Sequence, residues 1–225
     1  TEIYTLSLHD ALPISFLLDD ASITADQAQT KQAQAQAYYT LAWRYTQPKA
    51  GQLILMSGLS GSGKSTVAQR LARLIGAVYI RSDAVRKHLA GIPLQRKGDT
   101  SLYTPAMTQK TYARLCNLGV RLAKLGYIVI LDAKYDRIGT RQIVLNQAKA
   151  DNIPVSILVC KAPLAILRQR LQERTGDIAD ATAELLIRQQ TTAEALTDEE
   201  ISFATYLDTT TNMEKELHAI ATQFA

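Results

Sequence analysis

The sequence is short of the residues that mark several large protein classes. Only two cysteines occur in 225 residues, Cys116 and Cys160, far apart and each inside an apolar pattern. A disulfide framework or cysteine metal site is therefore not expected; buried, reduced thiols and a cytoplasmic setting are. No run approaches the ~20 apolar residues that span a bilayer, so no membrane partner is expected. Aromatic residues make up 6% of the chain, and no basic track is interleaved with them. That argues against a single-stranded nucleic-acid ligand. Neither sign of charge dominates: 25 Lys and Arg against 21 Asp and Glu leave +4, compatible with an anionic ligand without demanding one. Hydrophobic residues are plentiful at 47%, enough for the core of one α/β domain with a short appendage.

Three stretches differ in character. Thr5 to Ser15 read TLSLHDALPIS, which looks like a translated sequencing-adapter oligonucleotide. A signal peptide would carry a basic start, and here His9, Asp10 and Pro13 interrupt the apolar stretch. Residues 1–15 are therefore expected to be non-native. Residues 16–51 are Ala- and Gln-rich, with helix-forming composition from Asp26 to Tyr45 and with Tyr38, Leu41 and Tyr45 on one face. The linker that follows, QPKAG, ends the helix, and the stretch is expected to be the helical tail of an upstream domain.

From Gln52 to the end, short apolar runs alternate with amphipathic helices. The runs are 53–56, 77–80, 127–131, 155–159 and a weaker 204–207. Continuous apolar runs of this length suit parallel strands covered on both faces. Between them, Val67, Leu71 and Leu74 form a helical stripe. Thr104-Pro105 offers a cap and first-turn proline ahead of Leu115, Leu118, Leu122 and Leu125, with Gly126 as the stop. Ala162-Pro163 opens a helix carrying Leu164, Leu167 and Leu171. The alternation predicts a doubly wound parallel sheet.

The strongest motif is GLSGSGKS at 58–65, a complete G-x-x-x-x-G-K-S between an apolar strand and an amphipathic helix. Glycines let the backbone curl until its N–H groups face a polyphosphate, so Gly58, Ser60, Gly61, Ser62, Gly63, Lys64, Ser65 and Thr66 are the expected nucleotide contacts. Lys64 supplies a compact charge for the β- and γ-phosphates, the Ser65 hydroxyl a ligand for Mg²⁺, and the following helix its positive end.

Two carboxylates and a set of arginines suggest the chemistry. Asp132 ends the third run in IVILD, the form of a Walker B acid, and is expected to share the Mg²⁺ shell with Ser65. Asp83 ends the second run, with Arg86 one turn along the same helix face. Asp83 could accept the proton of a substrate hydroxyl or simply cap a helix starting at Ala84. Arg168, Arg170 and Arg174 crowd a helix running into TGDIAD, an arrangement like a lid that excludes water. Arg137 and Arg141 are either substrate contacts or surface charges. His88 has no evident partner, and Asp208-Thr209-Thr210 lies where the adenine side is expected.

Residues 52–210 resemble the P-loop kinase-type, AAA-class ATP-binding domain fused behind an aminoglycoside-phosphotransferase-like domain in bacterial proteins. The matching pieces are LILMSGLSGSGKST at 53–66, YIRSDAVRKHLAG at 79–91, YTPAMTQKTY at 103–112, VILDAKY at 129–135 and RTGDIADA at 174–181. More broadly, Asp83-x-x-Arg86 and Asp132 resemble the gluconate-, adenylylsulfate- and polynucleotide-5′-kinase branch. The resemblance implies a three-layer α/β/α P-loop NTPase sandwich with a five-stranded, mostly parallel sheet in the order 2-3-1-4-5 over residues 52–225. It implies ATP and Mg²⁺ as cofactors and a small-molecule hydroxyl as acceptor. Asp83 would be the base, Arg86 a substrate or phosphate ligand, and Arg170 and Arg174 the lid arginines. Lys134 departs from the pattern, where relatives carry a small hydroxyl or amide residue. Two rival expectations stand beside the small-molecule kinase. One is a regulatory ATP-binding module for the fused upstream domain; the other is a polynucleotide 5′-hydroxyl kinase.

Overall fold

A computed structural model describes residues 24–46, 50–96, 98, 100–173, 183–210 and 213–224. Residues 1–15, part of the linker, Arg174 and the rest of the 174–181 loop lie outside them. The chain divides into two compact units, Thr1–Lys49 and Ala50–Ala225.

In the first unit, α1 (Ala25–Thr46) is a single helix. Its start is a reciprocal cap: Gln27 N donates to Thr24 Oγ1 at 3.4 Å, and Thr24 N donates to Gln27 Oε1 at 3.0 Å. Of the expected face of Tyr38, Leu41 and Tyr45, Tyr38 alone is among the described side chains, and it is exposed.

In the second unit, five strands form one sheet: β1 (Gln52–Ser57), β2 (Val78–Arg81), β3 (Ile128–Asp132), β4 (Val155–Lys161) and β5 (Ala204–Asp208). Their order is β2-β3-β1-β4-β5, and every neighbouring pair is parallel, so no strand breaks the parallel rule. Around the sheet run α2 (Lys64–Ile75), α3 (Ser82–Leu89), α4 (Pro105–Lys124), α5 (Ile138–Ala150), α6 (Leu164–Gln172), α7 (Ala183–Thr192), α8 (Asp198–Ile201) and α9 (Met213–Ala221). Leu53, Ile54, Leu55 and Met56 have no exposed surface, because alternate side chains of β1 meet helices on opposite faces. Leu53 and Leu55 join Val129, Leu131 and Ile157 beneath α4 and α5. Ile54 and Met56 join Ile130 and Leu158 beneath α2 and α9.

Local signals explain most helix ends. Thr104 Oγ1 accepts from Met107 N at 3.2 Å, with Pro105 in the first turn of α4. Three expectations need correction. Leu125 lies one residue past α4 and is exposed, so that stripe ends at Leu122. Leu74 also turns outward, and its neighbour Ile75 packs on the core instead. Asp83 does not cap its helix: α3 begins at Ser82, with Arg81 in the cap position, which leaves the carboxylate inside the first turn.

Register positions the site. Met56 of β1 and Arg81 of β2 both pair with Asp132 of β3, so three strands end level. Whatever follows them, the 58–65 loop, Asp83 and the Asp132 turn, emerges at one edge of the sheet. Ligands bind at this carboxyl edge in open α/β sheets.

Candidate active site

The loop between β1 and α2 has the backbone its glycines permit. Gly58 adopts φ 137°, and a Cβ there would lie 2.5 Å from the Cys160 carbonyl oxygen. Gly63, at the helix start, adopts φ 85°. Both lie in a region that L side chains rarely enter, so the curl needs glycine at these positions. Lys64 Nζ donates to the Leu59 carbonyl oxygen at 2.7 Å, folding its charge back over the cradle. Ser60 N donates to Gln189 Oε1 of α7 at 3.1 Å. Ser62 Oγ is buried without a hydrogen-bond partner, while Thr66 is exposed in the first turn of α2.

Asp132 is 5% exposed, and its Oδ2 accepts from the Tyr79 hydroxyl at 2.7 Å. Burial raises the Tyr79 phenol well above its usual pKa, and the adjacent Asp132 charge adds to the effect. Asp132 at the end of β3 and Ser65 in the first turn of α2 supply a carboxylate and a hydroxyl, hard oxygen donors of the kind Mg²⁺ takes, so the residues fit that ion. Among the described residues no group of three or more His, Cys, Asp or Glu could hold a metal. A cation here would share its shell with nucleotide phosphates, as Mg²⁺ commonly does.

Asp83 is half-buried in the first turn of α3. Arg86 is 7% exposed; its Nη1 donates to Leu102 O at 3.0 Å and to Thr108 Oγ1 at 3.3 Å. The guanidinium lies 4.9 Å from the Tyr103 ring centroid, and Nε is buried without a hydrogen-bond partner. Arg170 bridges the cradle and the turn after β5: it donates to Gly61 O at 3.4 Å, to Thr209 Oγ1 at 2.9 Å and to Thr209 O at 2.9 Å. Arg168 and His88 are exposed.

The turn after β3 is fastened to the cradle. Gly58 N donates to Lys134 O at 3.3 Å, and Ser57 Oγ to Tyr135 O at 3.4 Å. Lys134 Nζ lies 2.9 Å from Asp136 Oδ2, though not aligned for a hydrogen bond. Tyr135 adopts φ 41° while wholly buried, edge-on to Tyr112 at 5.3 Å between centroids. Such backbone persists only where surroundings hold it. Arg141 supplies that hold. It is fully buried and pairs through two nitrogens with Glu200 at 2.7 and 3.0 Å. It also donates to the Tyr135 carbonyl at 3.1 Å and the Ala195 carbonyl at 2.9 Å. Neither alternative weighed for Arg141, substrate contact or surface charge, describes it. Arg137 is exposed and pairs with Glu194 at 3.5 Å.

Beside the cradle is a cavity of about 450 Å³ whose lining includes Gly58, Leu59, Asp136, Glu194 and Tyr206. Both thiols are free and buried. Burial pushes the Cys160 thiol up to about 12, so it stays protonated and is no nucleophile. Sequence reasoning missed Tyr79, Gln189 and the Arg141–Glu200 pair. For Tyr79 a signal existed: once β2 is placed beside β3, Tyr79 lies opposite Ile130, within a side chain's length of Asp132.

Comparison with known proteins agrees with this geometry. The AAA domain family AAA_33 matches residues 53–196. An uncharacterized protein of Mycobacterium tuberculosis, Rv2004c, is 30% identical over 157 residues, 68% of this chain. The chain spans about a third of that relative's length (32%). Among solved structures, a gluconokinase from Sinorhizobium meliloti superposes with a TM-score of 0.57 at 21% identity, over 79% of this chain and 95% of that one. The Mycobacterium tuberculosis APS kinase CysC, in complex with AMPPNP and APS, gives 0.57 at 18% identity over 77% and 96%. At these identities the likeness to both structures is one of fold.

Proposed function

The chain belongs to the AAA_33 family of AAA domains, and from that footing we propose that it transfers the γ-phosphoryl group of ATP to a hydroxyl of a small molecule. The observation that carries the reading is the level edge of β1, β2 and β3, where the phosphate loop, Asp83 and Asp132 emerge together. Phosphoryl transfer asks for positioning and charge stabilisation more than covalent chemistry. The cradle amides would orient the polyphosphate, and Lys64 would exchange the Leu59 carbonyl for a phosphate oxygen. Asp83 would take the proton of the attacking hydroxyl, and Arg86 would face the anionic part of the acceptor or phosphate. Arg170, already against Gly61, would close the far side, and Arg174 would add its charge to the transferred group. Ser65 and Asp132 would hold Mg²⁺, and the chemistry magnesium supplies when bound is neutralisation of charge on the transferred group. The fusion to an upstream phosphotransferase-like domain is part of the same proposal.

The test is ATP-dependent phosphorylation across sugars, sugar acids and polyols, with nucleotide affinity measured alongside. Lys64→Ala should abolish transfer. Asp83→Asn should bind ATP normally yet turn over about 10²- to 10⁴-fold more slowly, the usual contribution of a positioned base. Wild-type turnover in Asp83→Asn refutes the base. Tight ATP binding with transfer to none of the acceptors favours a regulatory module instead.

A further inference from the structure

Tyr79 touches Asp132, one of the two residues assigned to the metal, and neither motif contains it. It lies on β2 opposite Ile130 of β3, packed against the same cluster as Ile128 and Ile130. From there its hydroxyl reaches Asp132 Oδ2 at 2.7 Å. A phenol has one proton, and Asp132 Oδ2 receives it, so the orientation of the carboxylate at the end of β3 is set by a side chain anchored on the neighbouring strand.

We infer that Tyr79 is a positioning residue for the divalent metal, orienting the Asp132 carboxylate before nucleotide arrives. The inference rests on the kinase reading above. Groups that orient metal ligands by hydrogen bonding contribute about 10- to 100-fold to metal affinity.

The test uses the full chain with ADP and Mn²⁺ as the probe, free Mn²⁺ being read by electron paramagnetic resonance and ADP affinity in EDTA by calorimetry. Tyr79→Phe keeps the ring and removes the hydroxyl. It should weaken Mn²⁺ binding to the protein–ADP complex by about 10- to 100-fold, while ADP affinity in EDTA and the melting temperature stay near wild type. Added to Asp132→Asn, the same change should cost nothing further, because it acts through that carboxylate. Wild-type Mn²⁺ affinity in Tyr79→Phe, or a full additive loss in the double variant, overturns the inference and leaves the kinase reading intact. A parallel fall in metal-free ADP affinity and melting temperature would make the role merely structural, which also overturns it. If the wild-type protein binds ADP no better with metal than without, both readings fail together.

Discussion

Two buried arginines, Arg141 of α5 and Arg86 of α3, are treated very differently by their surroundings. Arg141 has no exposed surface, and its donors are matched by a carboxylate and by backbone carbonyls of Tyr135, Glu194 and Ala195. Arg86 is nearly as buried, yet it meets one carbonyl, one hydroxyl and an aromatic face, and Nε is orphaned. A fully matched cation is a fastener. A buried cation with donor capacity left over has room for an anion, the role proposed for Arg86, and burial without a partner is costly. Full burial, so often read as a sign of structural duty, does not separate the two; the completeness of hydrogen bonding does.

The largest expected effect breaks the first of these. Arg141→Met leaves Glu200 buried and unpaired, which should cost about 3–5 kcal/mol in urea unfolding. Arg141→Met with Glu200→Leu removes both charges and should recover most of that loss. A loss under about 1 kcal/mol for the single change would mean that the pair is not the fastener of the Tyr135 turn.

Acid should expose the same pair more gently. Burial alone would raise the Glu200 carboxyl, but bonds from Arg141 and the Thr197 amide outweigh it and hold it below its ordinary value. A carboxyl depressed on folding stabilises the fold above its unfolded value, about 4.3, and the contribution fades as pH drops through the folded value. Wild-type stability should therefore fall below about pH 4.3. In Arg141→Met the sign reverses, since a buried unpaired Glu200 is relieved by protonation. Stability curves of the two proteins should converge on acidification; parallel curves would contradict this assignment.

How much of this was legible before the fold was known depended on how local the cause is. The cradle was readable because a curled phosphate loop needs glycine at fixed intervals, and Gly58 and Gly63 have the backbone angles that demand it. The cap of α4 followed from a signal within a few residues, Thr104-Pro105, whereas the strand order was implied by the family resemblance. Arg141 was misjudged because its partner Glu200 lies 59 residues away, on a segment whose return to the turn no local pattern announces. Tyr79 was missed although the expected order set β2 beside β3, because the register that brings its side chain to Asp132 is announced by no local pattern. Asp83 was taken as a possible cap because Ser82 and Asp83 are both good capping residues, yet the helix starts early enough to use neither.

Arg86→Met should sharpen the other half of the comparison. It removes an imperfectly matched charge and leaves one carbonyl, that of Leu102, without its donor, so the stability cost should be about 1–2 kcal/mol, well short of Arg141→Met. Its signature lies elsewhere. Stabilisation of the wild-type protein by an anion such as ATP or sulfate should shrink in the variant, measured as the rise in melting temperature on titration. An unchanged ligand response with a large intrinsic loss would make Arg86 a second fastener.

The smallest effect concerns the ring under that guanidinium. Tyr103 is 43% exposed, so the cation–π contact at 4.9 Å is partly solvated and worth about 0.5–1 kcal/mol. Tyr103→Leu keeps apolar bulk over Arg86 while removing the quadrupole, and its stability loss should fall in that range. The consequence for binding is more informative than the loss itself. Without the ring to hold it flat, the Arg86 fork should sample more orientations, so anion affinity should fall further than stability does. If instead both fall in proportion, Tyr103 only packs the turn, and the orientation of Arg86 is set by Leu102 and Thr108 alone.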